Sequence, residues 1–180
     1  MNKEESLLAA IYENVSLRPY DASWPDLFEA ERQRLQTLFP GRFIDIQHIG
    51  STAVPGLSAK PVVDILAGVE SMSVVEELIG PLCQSSYATS AEFNDKLPDS
   101  RWFMRWADGH RTHHLHVAVH GSEFWTDRLR FRDALRASPV LAAEYRELKA
   151  SLAELHREDR EAYTEAKRKF ILTSSQRNAR

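Results

Sequence analysis

The sequence predicts an α+β fold, in which one mixed β-sheet is covered by helices and the C-terminal third is helical. Three observations support it. Residues 61–69 form an almost continuously apolar run of strand length, strand-like segments flank Asp108-Gly109, and apolar residues keep helical spacing after Gly121. Strands and helices that mix early in a chain, with helices packed together at its end, are typical of this class.

Local signals define the first elements. Residues 7–12 are predicted to form a short helix, and residues 15–17 a strand that leads into a Pro-Tyr-Asp turn. Ser23, followed by Trp-Pro-Asp, combines an N-cap residue, a proline near the first helical position and an acid in the first turn. The apolar spacing that follows predicts a helix over 24–38. Residues 42–49 are predicted to form a strand just before a Gly-Ser pair.

The middle of the chain supplies the centre of the predicted sheet. Residues 61–69 are apolar almost throughout, as in a strand that is buried on both faces. A helix is predicted near 73–80, whereas residues 81–100 show no clear pattern. Asp108-Gly109 is a hairpin signal, and its flanking strands are predicted at 102–106 and 112–119.

The rest of the chain is predicted to form three helices. The first covers 122–137, the second begins at the Ser138-Pro139 cap, and the third covers about 158–172. No internal repeat or linker-like stretch divides the sequence. We therefore interpret residues 1–180 as one domain, with a helical extension over 1–14 and C-terminal helices over 122–172.

The charge of the chain is small overall but uneven. Its formal net charge of −3 argues against a protein that holds nucleic acid by bulk positive charge. Residues 1–126 have 10 Lys and Arg against 17 Asp and Glu, whereas residues 127–180 have 13 against 9. This asymmetry predicts a basic C-terminal face over an anionic ligand.

Composition also predicts the cellular setting. Of the residues, 43% are hydrophobic and 27% are charged, which suffices for a folded core. The single cysteine, Cys83, excludes a disulfide within the chain and a zinc cluster of several cysteines. The N-terminus lacks a secretory pattern, and no apolar run is long enough for a bilayer. We expect a cytoplasmic protein with no membrane partner.

Gly50-Ser51 and Asp64 form the most informative pattern. The Gly-Ser pair lies between a predicted strand and a short helix, where backbone N–H groups and a hydroxyl can contact an anion. Asp64 lies in the most hydrophobic strand, and a buried carboxylate is costly unless it meets a cation, a metal or several donors. The pattern alone leaves two interpretations open: a phosphate site, or a strand-end turn with Asp64 satisfied by backbone or an arginine.

The segment His48-Ile-Gly-Ser-Thr-Ala-Val-Pro-Gly-Leu, with Ala-Lys-Pro and Asp64-Ile after it, resembles the signature of the GrpB-like family. Four further segments agree with it in order, beginning at Val15, His114, Phe131 and Tyr145. The resemblance implies a nucleotidyltransferase-like fold related to the DNA polymerase β superfamily. In that superfamily a Gly-Ser pair binds nucleotide phosphates, and carboxylates on the following strands hold divalent metal. One position departs from the pattern, because Leu66 stands where the second acid is expected.

Histidines are candidates to complete a metal site. His114 and His116 share one strand face, and with Asp64 they are predicted to hold Mg²⁺, Mn²⁺ or Zn²⁺, the identity being left open. His116 is also a candidate general base toward an acceptor hydroxyl. His48 is a candidate metal ligand, or alternatively a hydrogen-bond donor to a phosphate group. The alternative is that His114 and His116 are ordinary half-exposed strand residues.

Basic side chains supply the remaining candidates. Arg132 lies on the inward arc of its predicted helix, where a guanidinium needs a phosphate or, alternatively, a structural salt bridge to Asp64 or Asp133. Lys60 comes just before the Asp64 strand, and Arg105 lies on a neighbouring one. The predicted catalytic residues are Asp64, His116 and Arg132. The predicted phosphate- or nucleotide-binding residues are His48, Gly50, Ser51, Lys60 and Arg105.

Three functions fit these residues. The first is metal-dependent transfer of a nucleotidyl or phosphoryl group to a small acceptor, with a nucleotide or phosphorylated small molecule as ligand. Leu66 favours a non-catalytic nucleotide- or metabolite-binding module, because losing one acid removes chemistry before it removes phosphate affinity. The third is a metal-dependent phosphohydrolase that uses His114 and His116. The substrate and the oligomeric state stay open.

Overall fold

The computed structural model describes residues 2–177 and contains a five-stranded mixed sheet with helices on both faces, which confirms the α+β prediction. The strands are β1 (Asp45–Ile49), β2 (Val63–Val69), β3 (Tyr87–Ala88), β4 (Ser100–Ala107) and β5 (His110–Val119). The helices are α1 (Lys3–Ile11), α2 (Trp24–Leu38), α3 (Met72–Gln84), α4 (Ala91–Asn94), α5 (Glu123–Ala137), α6 (Pro139–Leu155) and α7 (Arg160–Arg177). A 3₁₀ turn, Ser51–Ala53, follows β1.

The strand order is β1-β2-β5-β4-β3. β2 and β5 run parallel, and the other three neighbouring pairs are antiparallel. The register places Asp64 beside Ile49 on β1 and beside His114 on β5. β2 is therefore an interior strand with neighbours on both sides, as its apolar run predicted.

The N-terminal segment differs from the sequence prediction. Residues 15–17 form no strand; an isolated antiparallel bridge joins Arg18 to Ala59, and the backbone N–H of Val15 donates to Arg157 at 2.9 Å. The backbone hydrogen bonds of Val15 and Arg18 are therefore made with loops rather than with the sheet. The leading helix begins earlier than predicted, because Asn2 and Glu5 form a capping box at its start.

The hairpin between β4 and β5 follows the Asp108-Gly109 signal. The φ angles are +50° at Asp108 and +80° at Gly109, which is the pair of positive values that a type I′ turn requires. The segment 81–100, which shows no pattern in the sequence, contains the end of α3 and two very short elements, β3 and α4. Elements of two and four residues are too short to show a hydrophobic period.

The two faces of the sheet are covered by different helices. On one, the α2 face, Ile65 packs in the main core with side chains of α2 and α3 such as Leu78. On the other, the α5 face, Leu66 packs with Trp125. Side chains alternate along a strand, so Asp64 shares the α5 face with Leu66. The carboxylate therefore points toward the C-terminal helices and away from the main core.

Helices α5, α6 and α7 pack together beside that face. Phe131 and Leu135 of α5 contact Tyr145 of α6, and the Tyr145 ring stacks on Phe170 of α7 with centroids 5.4 Å apart. The predicted C-terminal helical group is thus confirmed. Within residues 2–177 no helix combines the length and the hydropathy that a membrane span requires.

Glu31 of α2 is the centre of a buried polar network on the α2 face. Its side chain is 3% exposed. It accepts hydrogen bonds from the hydroxyl of Tyr87 at 2.6 Å and from Arg34 at 2.8 Å, and it pairs with Arg105 of β4. One carboxylate thus ties α2 to β3 and β4, and it is charge-compensated where it is desolvated.

We expect Glu31→Gln to lower the free energy of unfolding by about 3 kcal/mol, because it leaves two guanidinium groups without their buried carboxylate. Glu29→Gln on the same helix is the matched control; Glu29 pairs with Arg32 at the surface, where such pairs contribute little. Urea unfolding followed by circular dichroism measures both variants. Equal losses in the two would contradict the assignment of Glu31 as the buried hub.

Candidate functional site

The Gly50-Ser51 corner lies directly on Asp64. Gly50 turns the chain after β1 with φ +71° and ψ −169°, a conformation essentially restricted to glycine. A Cβ atom built at position 50 would lie 2.3 Å from Oδ2 of Asp64. Glycine is therefore required both by the backbone conformation and by the contact. The structure brings together the corner and the acid that the sequence pattern singled out.

Asp64 and His114 form a hydrogen-bonded pair, with Oδ1 3.1 Å from Nδ1. Burial lowers the pKa of His114 to about 4, an effect that Asp64 only partly offsets, so the ring is neutral at neutral pH. Burial raises the pKa of Asp64, but the His114 bond and nearby charges, including Lys60, outweigh it and hold that pKa well below its ordinary value. A carboxylate only accepts, so Nδ1 carries the proton. Nε2 of His114 then presents a lone pair, and it is buried without a partner among the side chains that the structure describes.

His116 lies next to this pair but does not complete a set of metal ligands. Its ring centroid is 5.9 Å from that of Phe124, and burial, followed by the charge of Arg128, lowers its pKa to about 3. In the part of the chain that the structure describes, no group of three or more His, Cys, Asp or Glu side chains is placed to hold a metal ion. The side chains around Asp64 therefore do not fit a resident divalent cation. The divalent metal cofactor remains a prediction from the sequence.

Leu66 occupies the second acid position of the superfamily pattern, and it is fully buried. It packs in a small apolar cluster with Ile49, Ala118 and Trp125. A carboxylate at this position would be surrounded by hydrocarbon, at a cost of several kcal/mol. The packing of α5 on the sheet thus takes the space in which a second metal-binding acid would stand.

The side chain of Lys149 on α6 extends to the Gly50-Ser51 corner and is only 2% exposed. Its ammonium donates to the hydroxyl of Ser51 at 3.0 Å and to the carbonyl of Ser58. Burial and the neighbouring Lys167 lower the pKa of Lys149 to about 7, whereas Asp64 raises it. A buried ammonium therefore lies at the corner that was predicted to contact phosphate.

Three further cations face Asp64 from other elements. The Nζ atoms of Lys60 and Lys167 lie 5.4 Å and 4.3 Å from the ring centroid of Tyr163, and the guanidinium of Arg128 lies 4.7 Å from that of Phe124. Burial lowers the pKa of all three cations, although each keeps partial exposure. All three interact electrostatically with Asp64, as does the buried Lys149. We call this group of side chains around Asp64 the basic cleft, and its residues are Lys60, Asp64, His114, His116, Arg128, Lys149 and Lys167.

Arg160 of α7 borders the basic cleft and connects it to the N-terminal segment. Its Nη2 lies 3.4 Å from the Glu13 carboxylate and 3.1 Å from the Glu13 carbonyl oxygen. Its Nη1 is buried and has no partner among the described residues. Arg160 is thus partly neutralised by Glu13 and retains one unused donor.

Two of the predicted site residues, Arg105 and His48, lie on the α2 face, away from Asp64. Arg105 points to the α2 face and pairs with Glu31, so the sheet separates it from Asp64. His48 also faces α2; its ring stacks on Phe28 with centroids 4.8 Å apart, and Nε2 lies 3.0 Å from the Thr52 hydroxyl. In place of the predicted phosphate contacts, these side chains hold α2 and the 3₁₀ turn.

Arg132 has a structural position. Its Nη1 donates to the Gln47 side chain at 2.8 Å and to the carbonyl of His48 at 3.1 Å, and its Nε donates to Asp133 at 2.7 Å. The guanidinium therefore joins α5 to β1 and pairs with Asp133, as the salt-bridge alternative expected.

Sequence reasoning missed most of the cations that surround Asp64. Arg128, Lys149, Arg160 and Lys167 are not among the residues that the sequence predicts for the site. Each lies on an amphipathic helix at a position whose neighbours in the fold the sequence does not reveal. The signal that pointed to them was the positive charge of residues 127–180, which the structure directs partly toward Asp64.

A depression with a volume of about 440 Å³ lies between the loop after the 3₁₀ turn and helices α5 and α6. Its lining is mostly apolar and includes Val54, Leu57, Leu135 and Pro139. The guanidinium of Arg136 at its edge donates to the Ala53 carbonyl at 2.8 Å. This groove contains neither the Asp64 pair nor the unpaired ammonium groups, so we place the candidate site in the basic cleft.

Comparison with known proteins gives consistent matches along the chain. The family model described as GrpB protein matches residues 14–177. The glutamate-rich protein GrpB of Alkalihalophilus pseudofirmus is 34% identical over 175 residues, covering 95% of this chain and 94% of that protein. A crystal structure of the conserved protein GrpB from Enterococcus faecalis superposes with a TM-score of 0.80 at 31% identity, covering 90% of this chain and 96% of that one. A dephospho-CoA kinase of Mycolicibacterium paratuberculosis is 31% identical over 175 residues, which cover 85% of this chain and 43% of that longer protein.

We expect Gly50→Ala to lower the free energy of unfolding by about 1–3 kcal/mol beyond the loss in Gly56→Ala, because only the first substitution drives a Cβ into Asp64. Gly56 also has a positive φ, +76°, but a Cβ there would meet no atom within 4 Å. Urea denaturation of the two variants beside the parent protein measures the difference. If both lose the same free energy, the close contact with Asp64 does not exist.

The free energy of unfolding is expected to fall as the pH drops from about 6.5 to 5, above the range in which most carboxyl groups titrate. Burial lowers the pKa values of His48 and His114 to about 4 and that of His116 to about 3, from 6.5. The unfolded chain then binds more protons than the folded one, so stability is lost on acidification. Urea unfolding at several pH values measures the slope, and His48→Asn should reduce it. A flat profile over this range would show that these rings are not buried in the neutral form.

Proposed function

The chain belongs to the GrpB family, and we propose that it binds a nucleotide or another phosphorylated small molecule in the basic cleft. The ligand's phosphate lies at the Gly50-Ser51 corner, between the sheet and the C-terminal helices. Ser51 and the backbone of the 3₁₀ turn supply hydrogen-bond donors, and the helices supply the positive charge.

The observation that carries the proposal is the excess of cations over acids in the basic cleft. Lys60, Arg128, Lys149 and Lys167 form no ion pair with a carboxylate of the described residues, and Asp64 is the one acid among them. Burial lowers the pKa values of Lys60, Lys149 and Lys167, and repulsion by neighbouring cations lowers them further. An anion with several oxygen atoms relieves that repulsion and satisfies the unused donors.

The arrangement of Asp64 and His114 favours phosphoryl or nucleotidyl transfer as a second candidate function. Asp64 orients the ring through Nδ1, so that the lone pair on Nε2 stays buried and without a partner among the side chains that the structure describes. A neutral imidazole held in this way can accept a proton from an acceptor hydroxyl. Nearby ammonium groups would stabilise the charge that develops on the transferred group.

Binding is tested with a panel of AMP, ADP, ATP and dephospho-CoA, measured by calorimetry and by the shift in melting temperature. Lys149→Met should weaken the tightest ligand by about tenfold or more, because it removes a buried ammonium from the corner. Lys96→Met is the matched control, since Lys96 is exposed on the loop after α4 and makes the same change in net charge.

The proposal fails if no member of the panel binds, or if Lys149→Met and Lys96→Met bind with the affinity of the parent protein. Turnover of a bound nucleotide in the presence of small alcohols or amines would support the second candidate. In that case His114→Gln should abolish turnover and retain binding, since it removes the proton acceptor and leaves the cations in place.

A further inference from the structure

We infer that the basic cleft binds the oligophosphate of a nucleoside di- or triphosphate without a divalent metal ion, and that lysine ammonium groups supply the charge that a metal would otherwise supply. The inference rests on the proposed function, and it names the class of ligand and the way in which its charge is balanced. It differs from the metal-dependent chemistry that the sequence resemblance implies.

The site has too few carboxylate ligands to hold a metal ion. A pair of ions needs bridging oxygen ligands, and the strand offers Asp64 followed by Leu66, which is buried beneath Trp125. Both oxygens of Asp64 already have neighbours: Oδ1 bonds to His114, and Oδ2 lies against the Gly50 backbone. One partly used carboxylate is a poor substitute for the three or more protein ligands of a built metal site.

The site has, by contrast, several cationic side chains. Lys149 is fixed under the corner by Ser51 and Ser58 and cannot turn toward solvent without losing both bonds. Lys60 lies in the loop before β2 and Lys167 on α7, and the ammonium group of each lies over the ring of Tyr163. Cations from three separate elements thus interact electrostatically with Asp64, and a divalent cation bound to that carboxylate would be repelled by each of them.

Charge counting indicates how many phosphates fit. The four cations of the basic cleft that have no carboxylate partner, Lys60, Arg128, Lys149 and Lys167, oppose one carboxylate, Asp64. Burial lowers the pKa values of the three lysines, so the full count of three positive charges is reached only when a bound anion holds all four cations protonated. A terminal phosphate carries about two negative charges at neutral pH, so a monophosphate leaves the site positive. A diphosphate or triphosphate neutralises it. The cleft therefore favours an oligophosphate over a single phosphate group.

Calorimetry of the full chain with ATP, AMP and inorganic tripolyphosphate, in EDTA and in excess Mg²⁺, tests this inference. We expect ATP and tripolyphosphate to bind in EDTA at least as tightly as in Mg²⁺, and AMP to bind about tenfold or more weakly than ATP. Lys167→Met should weaken ATP in EDTA, whereas Lys96→Met should leave its affinity unchanged.

Asp64→Asn distinguishes the two kinds of site, because the amide retains an oxygen that can accept from His114. If lysines balance the phosphate charge, removing the negative charge of Asp64 preserves or strengthens ATP binding. If a metal does so, the same substitution abolishes binding. Asp99→Asn, an exposed acid before β4, is the matched control, and the melting temperature of each variant reports folding.

Each result bears on a different statement. ATP binding only in Mg²⁺, or its loss in Asp64→Asn with folding intact, would overturn the metal-free site and leave the proposed function standing. AMP binding as tightly as ATP would overturn the oligophosphate preference. If neither nucleotide nor tripolyphosphate binds under either condition, the proposed function itself fails.

Discussion

A single carboxylate in a positively charged cleft is the constraint on which the site depends. Asp64 lies at the start of an interior strand, where it costs free energy unless its charge is compensated. The compensation comes from a hydrogen bond with His114 and from cations on the loop before β2 and on the C-terminal helices. Gly50 lets the backbone of the corner lie directly on the carboxylate. The sheet, the corner and the helices thus meet at one charged group.

The parts of the site that the sequence could predict are those set by local pattern. Gly50 and Asp64 stand out because a glycine after a strand and an acid within an apolar run each have few physical explanations. The period of two also places His114 and His116 on one strand face. The helix over 24–38 is predictable to the residue, because its proline start and its apolar spacing are both local.

What the sequence could not predict depends on long-range packing. Arg105 was placed at the phosphate site, but the face of a strand that meets a given helix is decided by the fold, and Arg105 meets Glu31. The same limit applies to His48, whose strand turns it toward Phe28. Lys167 could not be predicted either, because only the packing of α7 brings it near Asp64. Charge asymmetry along the chain signals such residues as a group but does not identify them one by one.

The excess of cations also sets the balance between stability and binding. In the free protein, Lys60, Lys149 and Lys167 are desolvated beside one another, so the cleft contributes unfavourable electrostatic free energy to the folded state. A fold tolerates this cost when it is offset elsewhere, here by the apolar packing of α5 through Leu66 and Trp125. An anion that enters the cleft removes the repulsion and thereby stabilises the folded chain. Leu66 therefore has two effects: it contributes to the packing of α5 on the sheet, and in the proposed site it leaves the charge of the phosphate to be balanced by the lysines.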